Sequence, residues 1–273
     1  MKMRSDPFFR IIETEIVIPG LTAEYKLMQF SDVHLAVWDE LSTPEEREKA
    51  ESSEACWLKL REDFTVWNSE PFDEHKRIPS REVLEKMFAL AEETKPDALL
   101  LSGDIADYPA PAMTRLLRRK LAEYGGRSIF VQGNHDYGRD VLSCDGVQVL
   151  DLGEVLVVGI DDNALTVSDI ALAELKSLCT LGRPIIMLQH VPVMTERNRE
   201  KIDGFGEYFR IDERTEDENG AQFVRLERDE PTVKAVLCGH THAYNVSEIA
   251  EGKKQYCSSS ALAGFVNMIT VKG

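Results

Sequence analysis

The sequence predicts an α/β domain, and three observations carry that expectation. Short apolar, β-prone runs alternate along the chain with amphipathic helical stretches. Polar clusters rich in Asp, Asn and His follow the runs, at the carboxyl ends of strands where sheets that carry helices collect their ligands. The length of 273 residues and a hydrophobic content of 43% suit one large domain, residues 1–273, with a substantial core.

Phe8 to Pro19 alternates loosely and reads as an opening strand closed by Pro19-Gly20. Tyr25 to Phe30 is the next strand and delivers Asp32 and His34. Within the long link that follows, Thr43 is placed as an N-cap, Pro44 as the first helical residue and Glu46 as the partner completing a capping box. The charged helix after it carries Cys56, Trp57, Leu58, Leu60 and Phe64 toward its end. This insertion, about residues 41–78, departs from a candidate ligand loop. It is expected to fold back over the rim, with Trp57 to Trp67 covering part of a small substrate. The competing expectation is a helix packed on the outer layer for stability alone.

Ser80 is expected to cap a helix from Arg81 to Thr94, whose Val83, Leu84, Met87, Phe88, Leu90 and Ala91 make one apolar face. Ala98 to Ser102 is a strand leading to Gly103-Asp104-Ile105-Ala106-Asp107. Ala112 to Tyr124 is a second amphipathic helix stopped by Gly125-Gly126. Its Arg115, Arg118, Arg119 and Lys120 read as a solvated face rather than a phosphate site. Ser128 to Gln132 is a strand that runs into Gly133-Asn134-His135-Asp136.

Val147 to Leu152 and Glu154 to Ile160 read as two strands turning at Gly153 and opening a second sheet, and Ser168 caps a helix through Leu178. Pro184 to Gln189 presents His190. Met194 to Glu230 is highly charged and reads as a long loop with broken helix, a second excursion at about residues 194–230 beside the site. Val233 to Cys238 presents His240 and His242. Tyr244 to Ala250 and Gln255 to Ser260 form a hairpin around Glu251-Gly252, and Phe265 to Val271 is the last strand.

The chemistry lies in the clusters. Five of the six histidines fall in them, and only His75, read as a surface residue, does not. Together they supply Asp32, His34, Asp104, Asn134, His190, His240 and His242, with no cysteine among them. That oxygen and imidazole set suits Mn, Fe, Zn or Co. Seven ligands exceed what one tetrahedral ion takes, so two divalent or trivalent transition-metal ions sharing a carboxylate is the natural arrangement, with Asp104 as candidate bridge. Asp107, Asp140, Asp161 and Asp162 read as turn or capping carboxylates.

The ordered motifs Asp-x-His, Gly-Asp-x-x-Asp, Gly-Asn-His-Asp, a lone His and Gly-His-x-His, from about Lys26 to Asn267, resemble the signature of the calcineurin-like metallophosphoesterase superfamily. The resemblance implies a four-layer αββα sandwich, two mixed β-sheets flanked by helices, with a dinuclear metal centre at one rim. It assigns Asp32, His34, Asp104 and His242 to one ion, and Asp104, Asn134, His190 and His240 to the other. It makes His135 the catalytic histidine beside the scissile phosphate and Asp136 the carboxylate that orients it. The implied reaction is hydrolysis of a phosphate ester by water activated between two metals, with His135 assisting the leaving oxygen.

A net charge of −16 offers nucleic acid no bulk attraction. A phosphodiesterase or phosphomonoesterase for a small molecule such as a nucleotide is therefore favoured over a phosphoprotein phosphatase or nuclease. A non-catalytic scaffold conflicts with an intact ligand set. Trp57, Phe64, Val66 and Trp67 are the only hint of a lipid-linked substrate. The five cysteines, Cys56, Cys144, Cys179, Cys238 and Cys257, are odd in number and mostly beside apolar runs, which reads as free buried thiols. With a charged N-terminus and no membrane-length apolar run, a cytoplasmic protein is expected. Oligomeric state is left open by the sequence.

Overall fold

Leu27 and Leu100 face one apolar layer while their neighbours Met28 and Leu101 face another. Strand residues alternate sides, so a strand apolar at every position must be covered on both faces. The computed structural model describes residues 8–68, 74, 77–136 and 146–273. The expectations for His75, Asp140 and Cys144 fall outside them, and so do those for the side chains of Phe64 and Val66.

In chain order the elements begin with β1 (Arg10–Val17), β2 (Tyr25–Phe30), α1 (Pro44–Trp67), α2 (Ser80–Thr94), β3 (Ala98–Ser102), α3 (Pro111–Tyr124) and β4 (Ser128–Val131). Next come β5 (Val147–Asp151), β6 (Leu156–Ile160), α4 (Asp169–Cys179), β7 (Ile185–Leu188), β8 (Val193–Met194), a single turn α5 (Arg199–Ile202) and β9 (Ile211–Asp212). The last are α6 (Glu218–Asp229), β10 (Val233–Cys238), β11 (Asn245–Ala250), β12 (Lys253–Cys257) and β13 (Phe265–Lys272).

One sheet runs β1-β13-β2-β3-β4 and the other β11-β12-β10-β7-β6-β5, with β8 and β9 a separate small pair. Both large sheets are mixed. β2, β3 and β4 are mutually parallel neighbours, as are β10, β7 and β6, while β13 runs against β2 and β5 against β6. The inner apolar layer joins the sheets: Leu27, Leu100 and Ile129 meet Val157, Leu188 and Leu237. Outside the first sheet Met28, Phe30, Leu99 and Leu101 pack with Leu84, Met87 and Met113 of α2 and α3. Outside the second, Val158, Met187 and Val236 pack with Leu172, Leu175 and Phe223 of α4 and α6. The result is the αββα order of layers.

The Thr43 capping box forms: Glu46 N–H donates to Thr43 Oγ1 at 3.2 Å and Thr43 N–H to Glu46 Oε2 at 2.8 Å. Two expectations are corrected. Ser80 does not cap α2 but is its first residue, because Glu54 from α1 takes both its N–H and its hydroxyl. The 194–230 excursion is not mainly loop, since α6 is a regular amphipathic helix capped by Asp217 that buries Phe223 and Val224. Charge on its outer face hides that stripe in the sequence. The basic stretch of α3 is spent on ion pairs, Arg115 with Asp39 and both Arg119 and Lys120 with Glu123. Cys179, Cys238 and Cys257 are buried free thiols, whereas Cys56 is exposed. Among the described residues no helix is long and apolar enough to cross a membrane.

Candidate metal centre

Parallel neighbours end at the same rim, and this places the candidate ligands. β2, β3 and β4 release the loops holding Asp32 and His34, Asp104, and Asn134 and His135; β7 and β10 release His190, His240 and His242. Asp32, His34, Asp104, His240 and His242 all have positive φ, between 48° and 68°. L-residues rarely adopt that conformation, and it concentrates where function over-determines the backbone. It is held by bonds between loops: Asp32 N–H to Gly103 O at 3.0 Å, His34 N–H to Asp104 O at 2.9 Å, and His240 N–H to Asp32 Oδ2 at 3.1 Å. The approach is close enough that a Cβ on Gly133 would overlap the Asp104 carboxylate, and one on Gly239 the Ser31 hydroxyl.

All seven candidate ligands converge. Asp32, His34, Asp104 and His242 form one group with donor atoms within 4.8 Å of one another, and Asp104, His190 and His240 form a second. Asn134 joins the second, its Oδ1 3.2 Å from His190 Nε2. Asp104 belongs to both groups. In the first, His34 Nε2 lies 3.1 Å from His242 Nε2, which is 3.2 Å from Asp32 Oδ1. In the second, His190 Nε2 lies 3.3 Å from Asp104 Oδ2.

These spacings fit bound cations. Ligand atoms at bond lengths of roughly 2.1 Å from a four- or six-coordinate ion lie roughly 3.0–3.4 Å from one another. Asp32 Oδ1 is also buried without a hydrogen-bond partner, an arrangement that a cation relieves. Outer partners fix which imidazole nitrogen is free. Ser102 O sits 2.8 Å from His190 Nδ1, and Tyr208 O sits 2.8 Å from His240 Nε2. His190 therefore offers Nε2 inward, and His240 offers Nδ1.

The electrostatics carry the same signature. Burial alone would raise Asp104, but His190, His34 and His135 around it hold its carboxyl below the usual range. Burial would lower His190, but Asp104 and Asp32 push it up to about 10. His240 falls to about 4 through burial and the neighbouring His190.

His135 stands on the open side of the groups and lines a cleft of about 340 Å³ with Asp104, Asn134 and His240. Burial would lower its pKa, yet Asp107 and Asp104 raise it to about 9. A larger groove of about 1000 Å³ between α1 and α3 includes none of the seven ligand candidates.

A family model described as calcineurin-like phosphoesterase matches residues 25–244, most of the chain. The chain belongs to the calcineurin-like phosphoesterase family. It is 28% identical over 174 residues to a Synechococcus protein named as a probable cyclic nucleotide phosphodiesterase. That stretch is 57% of this chain and 62% of the relative, so less than two thirds of the relative is spanned. Among solved structures, a dimetal phosphatase from Danio rerio superposes with a TM-score of 0.53 at 11% identity, over 88% of both chains, which is a likeness of fold.

In this calcineurin-like phosphoesterase the expected role of Asp136 is corrected. Its buried carboxylate accepts the N–H groups of Ala106, Ile105 and Gly133 at 2.7, 3.2 and 3.0 Å, bracing the Asp104 loop rather than the His135 ring. Burial and the nearby Asp104 raise it to about 7. The group at His135 is Asp107: its Oδ1 lies 3.1 Å from His135 Nδ1, and its backbone carbonyl 2.9 Å from the same atom. Asp107 closes the Gly-Asp-x-x-Asp motif, yet it reads as a turn residue because the sequence does not show that His135 is brought against it.

Asp162, also read as a turn residue, is fully buried and accepts the N–H groups of His190 and Val191 at 3.0 and 2.9 Å. Its position beside an apolar strand end was the available signal. From the two variable segments, Trp57 and Phe209 reach the cleft. The Phe209 ring centroid is 4.8 Å from that of His240. Trp67 is 58% exposed and lies outside the cleft lining.

Proposed function

We propose that this chain is one catalytic domain that hydrolyses a small phosphate ester, with a cyclic nucleotide or another compact phosphodiester as the favoured substrate class. The observation that carries the reading is the sharing of Asp104 by two adjacent donor groups with His135 beside them on the open side. Asp32, His34, Asp104 and His242 would hold one ion, and Asp104, Asn134, His190 and His240 the other. Two such ions, when bound, supply Lewis-acid polarisation of a phosphoryl oxygen and of the attacking water.

The chain's own residues do the rest. Asp162 and Ser102 O orient His190, and Tyr208 O orients His240. His135, with its proton held up to about pH 9, faces the departing oxygen and donates to it. Asp107 keeps that imidazole in place. Trp57 and Phe209 narrow the cleft to small leaving groups. The diester preference is supported by the Synechococcus relative's name, and the small-molecule preference by the net charge of −16.

The test is a panel of p-nitrophenyl phosphate, bis-p-nitrophenyl phosphate and cyclic nucleotides, with metal-stripped protein reloaded with Mn, Fe, Zn or Mg. Hydrolysis of a diester that depends on reloading is expected. Inactivity on every ester after reloading with each metal contradicts the proposal.

A further inference from the structure

Helix α1 and the residue just after it reach the site at three points. Ser53 Oγ donates to Asp107 Oδ2, and one turn later Trp57 Nε1 donates to Asp107 Oδ1 at 2.6 Å. Residues four apart share a helix face, so one face of α1 supplies two donors to a single carboxylate. The Trp57 ring also stacks on His34, with centroids 3.7 Å apart and planes at 19°, and sits edge-on to His135 at 5.7 Å. Just past the helix, Asn68 Nδ2 donates to His242 O at 2.8 Å and Asn68 Oδ1 accepts from Tyr244 N–H at 2.8 Å.

Asp107 is the junction of this arrangement. An aspartate on a loop has two free side-chain torsions, and a carboxylate that swings lets the imidazole beside it swing too. Donors on both oxygens remove that freedom. The oxygen that takes the Trp57 N–H is the one 3.1 Å from His135 Nδ1.

We propose that Trp57 is a positioning residue for His135: its indole N–H locks Asp107, and Asp107 fixes the ring that serves the departing oxygen. The proposal rests on the role given to His135 above. It assigns the insertion a task beyond covering the cleft, since the helix that narrows the entrance also sets the aim of the proton donor. Outer partners of this kind typically contribute about 10–100-fold, because small misplacements of a reacting group are costly in rate.

Trp57→Phe tests it in the full chain loaded with zinc, since phenylalanine keeps an aromatic ring against His34 while removing the N–H together with part of the indole. On a diester with a poor leaving group, kcat is expected to fall about tenfold, a larger change than any in KM from the smaller ring in the cleft. In a His135→Ala background the same substitution is expected to change kcat by less than about twofold. Independently of turnover, the ¹⁵N resonance of His135 Nδ1 is expected to move in Trp57→Phe.

Unchanged kcat and an unmoved His135 resonance overturn the proposal, as do losses that multiply in the double variant. If Trp57→Phe does not fold, Ser53→Ala removes the other donor to Asp107 and faces the same non-additivity criterion. Should the wild-type protein hydrolyse no ester, the proposed function fails. The resonance then still decides whether Trp57 sets His135.

Discussion

His34 Nε2 and His242 Nε2 lie 3.1 Å apart although 208 positions separate the residues in the chain. Two imidazole nitrogens aimed at one point repel when both present lone pairs, and a cation between them reverses the sign. Of the two groups assigned to the ions, His34 belongs only to the first, whereas Asp104 is common to both. His34→Ala is therefore expected to weaken one metal site by about tenfold or more and leave the second filled. Asp104→Asn empties both. Metal analysis of each purified variant after equilibration with Mn distinguishes them.

Metal uptake should release a proton. His190 is raised to about 10 by Asp104 and Asp32 against the opposing effect of burial, so at pH 7.5 its ring is protonated. Its Nε2 must lose that proton to bind an ion. Apparent affinity at the second site is expected to rise with pH, up to about tenfold per unit, levelling as pH passes about 10. Calorimetry in buffers of different ionisation enthalpy reads the protons released.

Without metal, Asp107 and Asp104 outweigh burial and raise His135 to about 9, and Asp107 still holds its proton when Asp104 is taken up by cations. Turnover of a poor-leaving-group ester is expected to fall as pH rises past the point at which His135 loses its proton. Asp107→Asn removes the raising partner and moves that falling limb to lower pH. His135→Ala should cost about 10²–10⁴-fold on such substrates and much less on p-nitrophenyl esters, while metal content stays unchanged. A pH series of kcat for the three proteins checks this.

Gly133→Ala places a methyl group on the Asp104 carboxylate and its backbone N–H. Asp104 must shift, so occupancy of both sites should fall together, with a loss of about 1–3 kcal/mol in stability. Denaturant unfolding and metal analysis of the same sample separate the two effects.

The cluster of candidate ligands is legible because each follows a strand whose apolar run is unmistakable, as at Ala98–Ser102 before Asp104 and Val233–Cys238 before His240. Strand order was not, since β13, last in the chain, sits between β1 and β2 through pairings no local pattern encodes. Asp107 and Asp162 read as turn residues for a related reason. Their roles depend on what arrives from elsewhere: His135 and Trp57 for one, the His190 backbone for the other. Asp136 follows His135 in sequence, but the two side chains turn to different partners, the Ala106 N–H for one and the Asp107 carbonyl for the other.

The two-ion centre is tested most directly by anomalous diffraction from a crystal equilibrated with Mn. Two peaks are expected, one among Asp32, His34, Asp104 and His242, the other among Asp104, Asn134, His190 and His240. A third set, His34, Asp107 and His135, also brings three donor atoms within 4.8 Å. No peak beside Asp104, or a peak at that third set in place of the other two, would contradict the assignment of ligands and with it the role of His135.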